Sequence, residues 1–174
     1  MKILVAVATR HGATREIAES LATALGSALT DAGVGSQVEV RDAGLVHSVD
    51  GFDAVVLGSA VYLGHWLDPA RKLAESFPDE LRRVPVWLFS SGPVGEQKHP
   101  AEEPVVVEDL VHRLDVRDHR LFGGKIDRHT LKFPERAVVS ALRVGDADNR
   151  DWPSIRAWGR EIGMSLAHLE RSVS

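Results

Sequence analysis

Apolar and polar positions along this chain switch repeatedly between two periods. Ile3 to Ala8 is an unbroken apolar run rich in β-branched residues, the pattern of a strand buried on both faces of a parallel sheet. Apolar residues then recur at helical spacing, with Ile17, Leu21, Leu25 and Leu29 in one stripe and Ala18 and Ala22 beside it. Gly33 and Gly35 stop that helix, and Gln37 to Arg41 alternates as a short second strand through Val38 and Val40. Ala43 to Asp50 reads as a helical turn or loop, and Asp53 to Gly58 as a third, buried strand. Asp68-Pro69 has the cap-then-proline order of a helix start, and Pro78 is expected to close that helix. Val84 to Ser90 predicts a fourth strand, Glu102 to Leu114 a helix with Leu110 and Leu114 inward, and His119 to Phe122 a fifth strand. Gly123 to Arg150 breaks the alternation, and Arg136 to Val144 suits helix or strand. Asp151 then caps a last helix with Ile155, Trp158, Ile162, Leu166 and Leu169 on its apolar side.

Strands alternating with helices predict a three-layer, doubly wound α/β domain with a five-stranded parallel sheet. Its 174 residues suit one domain, with a variable insertion at about 125–150. The hydrophobic share is 44 % and the charged share 26 %, both ordinary for a globular protein. A net charge of −4, with acidic and basic residues interspersed, argues against a nucleic-acid partner. The absence of cysteine excludes disulfides, thiol redox chemistry and thiolate metal sites, and the histidines lack metal-ligand spacing. Strand one starts at once, leaving no room for a signal peptide, and no apolar run spans a bilayer. A cytoplasmic location follows as the expectation, with peripheral contact at the inner face of a membrane left open, as are monomer and homo-oligomer.

Chemistry gathers in the turn after strand one, where Thr9 and Thr14 bracket Gly12. A tight turn between a buried strand and a helix N-terminus presents free backbone N–H groups and the positive end of the helix dipole. Gly12 can take a positive φ, and the hydroxyls can donate to an anion. A phosphate site and a plain helix cap at Thr14 both fit this spacing. One glycine and no lysine exclude the P-loop and the three-glycine dinucleotide fingerprint. The acid pocket of a phospho-acceptor receiver domain is excluded too, because Ala8-Thr9-Arg10 and Gly58-Ser59-Ala60 stand where it needs aspartates.

The turn resembles the flavin mononucleotide phosphate loop of flavodoxins, Thr/Ser-x-Thr-Gly-x-Thr, matched by Thr9, Gly12 and Thr14, with His11 replacing a hydroxyl. The longer run Thr9-Arg10-His11-Gly12-Ala13-Thr14-Arg15-Glu16-Ile17-Ala18 resembles the menaquinone-dependent protoporphyrinogen IX dehydrogenase branch. That resemblance implies FMN as cofactor and strand order 2-1-3-4-5, with the ligand where strands one and three diverge. Loops after strands three and four should then join the site. The first, Ser59-Ala60-Val61-Tyr62-Leu63-Gly64-His65-Trp66, carries Tyr62 and Trp66, which could stack on isoalloxazine or, for Trp66, pack under the next helix. Its Gly64-His65-aromatic ending matches that branch. His65 is a candidate acid–base residue because histidine titrates near neutrality. The second loop, Ser90-Ser91-Gly92-Pro93-Val94-Gly95, offers small residues and backbone N–H groups for the pyrimidine edge, but no aromatic.

Resemblance is strong at these loops and again at Asp151-Trp152, and it weakens over Lys125 to Asn149. In the porphyrin enzymes this region is a long basic and aromatic insertion; here Phe133 is its single aromatic. Lys125, Arg128, His129, Lys132 and Arg136 nevertheless place cations where an acidic planar substrate could be held, with Asp127 and Glu135 nearby to balance them in a plain solvated loop. Arg128, Lys132 and Arg136 are the candidate substrate residues. Two functions emerge, with a third reading in which the site is empty and the fold serves only as a binding module. One is an FMN-dependent oxidoreductase passing electrons from an organic substrate, such as protoporphyrinogen IX, to a quinone. The other is a flavodoxin-type electron carrier working with protein partners, which the modest charge disfavours because carriers gain from a steering field.

Overall fold

The protein is described by a computed structural model covering residues 1–62, 64–92, 105–126 and 147–173. Strand β1 (Lys2–Ala8) lies at the centre of a parallel sheet, with β2 (Gln37–Asp42) on one side and β3 (Ala54–Tyr62) on the other. Beyond β3 come β5 (Val86–Ser91) and β6 (Asp118–Phe122), giving the order β2-β1-β3-β5-β6. The two-residue β4 (His65–Trp66) pairs antiparallel with the end of β3. With β4 set apart as a hairpin return, the five parallel strands have the 2-1-3-4-5 order expected of the flavodoxin fold.

The run Ile3 to Ala8 is buried on both faces, as its composition requires. Ile3, Val5 and Val7 face helices α1 (Ala13–Asp31) and α5 (Trp152–Val173), together with Val56, Trp87 and Phe89 of neighbouring strands. Leu4, Ala6 and Ala8 face the other layer, formed by α2 (Asp68–Ser76), α3 (Pro78–Arg82) and α4 (Val105–Leu114). Each fully buried large aliphatic side chain stabilises the fold by about 1.5–3 kcal/mol relative to exposure. The α1 stripe Ile17, Leu21, Leu25 and Leu29 is wholly inside. It meets α5 at close range, because a Cβ on Gly159 would stand 2.6 Å from the Leu21 carbonyl oxygen. Phe89, Phe122 and Trp158 form an aromatic cluster with centroid separations of 5.7–6.4 Å beneath the end of the sheet.

Two helix boundaries differ from expectation. Leu67 is the N-cap of α2, so Asp68 lies inside the first turn, where its carboxylate pairs with Arg71 rather than capping. Pro78 does not merely close α2: Phe77 ends it and Pro78 opens α3, since a proline at a first helical position sacrifices no needed N–H. Ala43–Leu45 forms one turn of 3₁₀ helix capped by Asp42, and Asp151 caps α5 through the Ser154 N–H at 3.1 Å. After β6, β7 (Lys125–Ile126) pairs antiparallel with β8 (Ala147–Asp148). Ile126 and Ala147 are therefore neighbours across this pair. Arg128, His129, Lys132, Phe133 and Arg136 lie outside the described residues, and so do Leu63, Pro93, Val94 and Gly95, the start of the helix expected from Glu102, and the stretch Arg136 to Val144.

Candidate functional site

Parallel strands bring their carboxyl ends to one edge, and the register fixes what meets there. Ala8 stands beside Ser59, Ser59 beside Ser90, and Ser91 beside Phe122. β1 leads to α1 on one face, whereas β3 leads through β4 to α2 on the other, so a crevice opens between these exits.

The turn after β1 folds on its own side chain. Thr9 Oγ1 accepts a hydrogen bond from the Gly12 N–H at 3.0 Å, and Gly12 takes φ +86° as the N-cap of α1. A β-carbon at Gly12 would have space, so it is the backbone angle that favours glycine. No side chain caps α1, which rules out the capping role for Thr14. Thr14 instead sits in the first turn with 3 % exposure, and the first N–H groups of that turn lack intrahelical acceptors. Arg10 and His11 are exposed on the rim and Ala13 is half-buried.

The segment after β3 is a hairpin rather than an open loop. Tyr62 opposes His65, Val61 opposes Trp66, and Gly64 turns with φ +78°. This pairing sends the two aromatics to different places. Tyr62 is 36 % exposed at the rim, under the Arg10 guanidinium, which lies 4.5 Å from its ring centroid. Trp66 is 2 % exposed within the core layer of α2 and α4, so the expectation of a surface stacking face at Trp66 is corrected. Its Nε1–H donates to Ser90 Oγ at 2.8 Å. His65 is exposed beside Tyr62, while Ala60 and Val61 are half-buried.

The serines also divide. Ser59 Oγ accepts from the Leu67 N–H at 2.9 Å and donates to the Ala60 carbonyl at 2.8 Å, tying the hairpin return to β3. Ser90 Oγ, besides accepting from Trp66, lies 3.0 Å from His119 Nε2. Both hydroxyls are held within the fold, so these two positions offer the edge backbone rather than hydroxyl groups. Ser91 is nearly buried at the end of β5, and Gly92 turns with φ +98° while its N–H donates to the Phe122 carbonyl.

One buried cation escaped the sequence reading. Arg150, after β8, has a side chain only 4 % exposed. It holds Asp148 through Nε and Nη2 at 2.7 and 2.6 Å, Glu16 through Nη1 at 2.6 Å, and stacks 4.5 Å from the Trp152 ring centroid. Its hydrogen bonds to Asp148 and then Glu16 raise its pKa above the usual arginine value despite burial, and that to Asp148 lowers the aspartate's. An arginine between aspartates and an asparagine reads in sequence as surface charge, and only the return of β8 to the start of α1 reveals its burial. Among the described residues, no three acidic, histidine or cysteine side chains form a metal-sized cluster, and no helix is long and apolar enough to cross a membrane.

Comparison with known proteins agrees with this geometry. A flavodoxin domain model matches residues 4–152. Protoporphyrinogen IX dehydrogenase [quinone] of Escherichia coli (strain K12) is 25 % identical over 187 aligned positions, covering 97 % of this chain and 96 % of that one. An oxidoreductase from Corynebacterium diphtheriae superposes with TM-score 0.60 at 14 % identity, covering 96 % of this chain and 97 % of that one. A flavodoxin from the domain Archaea gives 0.57 at 17 % identity, covering 95 % and 99 %.

Proposed function

The chain belongs to the flavodoxin domain family, and from that premise we propose that it is an FMN-dependent oxidoreductase passing electrons from an organic substrate to a quinone. The observation that carries the reading is the turn Thr9–Thr14. It has a left-handed Gly12, a nearly buried threonine in the first helical turn, and first-turn N–H groups without intrahelical acceptors. These donors fit a phosphate. Flavin, when bound, supplies the acceptance and delivery of electrons, and the protein sets binding, orientation and access. Thr14 and the first-turn N–H groups would hold the phosphate, with Thr9 keeping the loop folded through the Gly12 N–H. Tyr62 supplies a flat wall at the rim, and Gly92 lets the backbone turn beside the ring edge. His65 and His11 place exposed imidazoles at the rim of the crevice.

Protoporphyrinogen IX is the proposed substrate, supported by similarity to the E. coli quinone-linked dehydrogenase over nearly the whole of both chains. Arg128, Lys132 and Arg136 are proposed to grip its carboxylates, Arg by paired bonds and Lys as a point charge. The purified protein should carry one FMN per chain, and anaerobic protoporphyrinogen should bleach it, with a menaquinone analogue restoring the colour. Shortening residues 128–136 should leave FMN bound and abolish this turnover. Bound flavin that protoporphyrinogen fails to reduce would overturn the enzyme reading in favour of an electron carrier. A protein that binds no flavin would overturn both.

A further inference from the structure

The Arg150 cluster lies at the N-terminal turn of α1 without belonging to the turn itself. Its Nη1 donates to Glu16 Oε2 at 2.6 Å and to the Ala13 carbonyl at 3.4 Å, two groups of that first turn. Glu16 is thus a carboxylate in the same helical turn as the N–H groups that lack intrahelical acceptors. A negative charge suits a helix N-terminus when the site is empty, because it meets the dipole. Beside a bound phosphate dianion the same charge is repulsive, and a partly buried location screens it less than bulk water would. Arg150 opposes that repulsion at short range. Its own location is fixed by the paired bonds to Asp148, by Trp152, and by burial, so its charge does not depend on a flexible surface contact.

We propose that Arg150 is a positioning residue for phosphate affinity: by holding Glu16 and the Ala13 carbonyl, it offsets the Glu16 charge at the first turn of α1 and helps the Thr9–Thr14 turn accept a phosphate-bearing ligand. This rests on the reading of that turn as the FMN phosphate site. The contrast between FMN and riboflavin isolates it, since the two ligands differ by the phosphate alone.

Titration of both flavins tests the inference. The unmodified protein should bind FMN well over tenfold more tightly than riboflavin. Arg150→Gln should weaken FMN about tenfold and leave riboflavin within twofold. Adding Glu16→Gln to that variant should recover most of the loss, and raising the salt concentration should shrink it. Glu16→Gln alone changes an exposed side chain and leaves the buried guanidinium on Asp148. It should tighten FMN severalfold without affecting riboflavin, so the inference remains testable if Arg150→Gln fails to fold. Equal loss of both flavins in Arg150→Gln, an unchanged ratio in either single variant, or no recovery in the double variant would overturn it. An unmodified protein with equal affinity for the two flavins would overturn the phosphate-site reading as well, which separates the two failures.

Discussion

The guanidinium of Arg10 lies 4.5 Å from the centre of the Tyr62 ring, joining the turn after β1 to the hairpin after β3. One face of the exposed aromatic at the rim is therefore covered by a cation of the Thr9–Thr14 turn. A solvent-exposed cation–π pair is worth about 0.5–1 kcal/mol. The proposed stacking of Tyr62 on flavin would use its other face or require Arg10 to leave this one.

The first prediction concerns this pair. Tyr62→Leu should raise the fluorescence of bound FMN, because the quenching ring is gone. Arg10→Ala should preserve quenching while changing affinity, since it uncovers the ring and removes a rim charge. Flavin fluorescence identical in Tyr62→Leu and the unmodified protein would exclude stacking at this residue.

Trp66 is expected to behave as a core residue. Its indole is buried and hydrogen-bonded to Ser90. Trp66→Ala should destabilise the protein by about 3–5 kcal/mol in urea unfolding. Trp66→Phe should cost less, with about 0.5–1.5 kcal/mol of it from the lost hydrogen bond. Flavin quenching in folded Trp66→Phe should match the unmodified protein, and relief of quenching there would return Trp66 to the site.

Phosphate recognition predicts distinct effects at the two threonines. Thr14→Ala keeps the buried β-carbon and removes a hydroxyl, so FMN should weaken by about 1.5–3 kcal/mol if that hydroxyl donates to phosphate. Thr9→Ala removes the acceptor that folds the turn onto Gly12 and should weaken FMN by loosening the donors rather than by losing one. Calorimetric titration reads both, and unchanged affinity in the double variant would remove the phosphate from this turn.

Acid stability offers a prediction independent of flavin. Burial pushes the Asp118 carboxyl up, but hydrogen bonds from Arg120 and the Trp158 indole outweigh it and hold it below the ordinary aspartate value. The unfolded chain then binds the proton more readily, so Asp118 stabilises the fold above about pH 4 and this contribution fades as pH falls further. Asp118→Asn, which can still accept from Trp158, should be less stable at neutral pH and should lose less stability on acidification. Parallel stability–pH curves for the two proteins would contradict this.

Period and composition alone determined much of this protein. An apolar run such as Ile3 to Ala8 can only be satisfied between two layers, and the Ile17–Leu29 stripe can only be a helix lying on it, so alternating elements and a parallel sheet follow from local patterning. The Thr9–Thr14 turn was legible for the same reason, since its residues are contiguous. Tertiary structure decided whatever depends on where distant segments return. The period of two does not distinguish Tyr62 at the rim from Trp66 in the core. Folding β4 back on β3 does, by placing the indole against Ser90, 24 residues away. Asp68 has the sequence of a cap but loses that position to Leu67, because a helix boundary is set by backbone geometry within a turn's tolerance. Arg150 looks like any charge beside an aspartate. It becomes a buried partner of Glu16, 134 residues distant, only because β8 delivers it to the start of α1, and sequence spacing carries no record of that meeting.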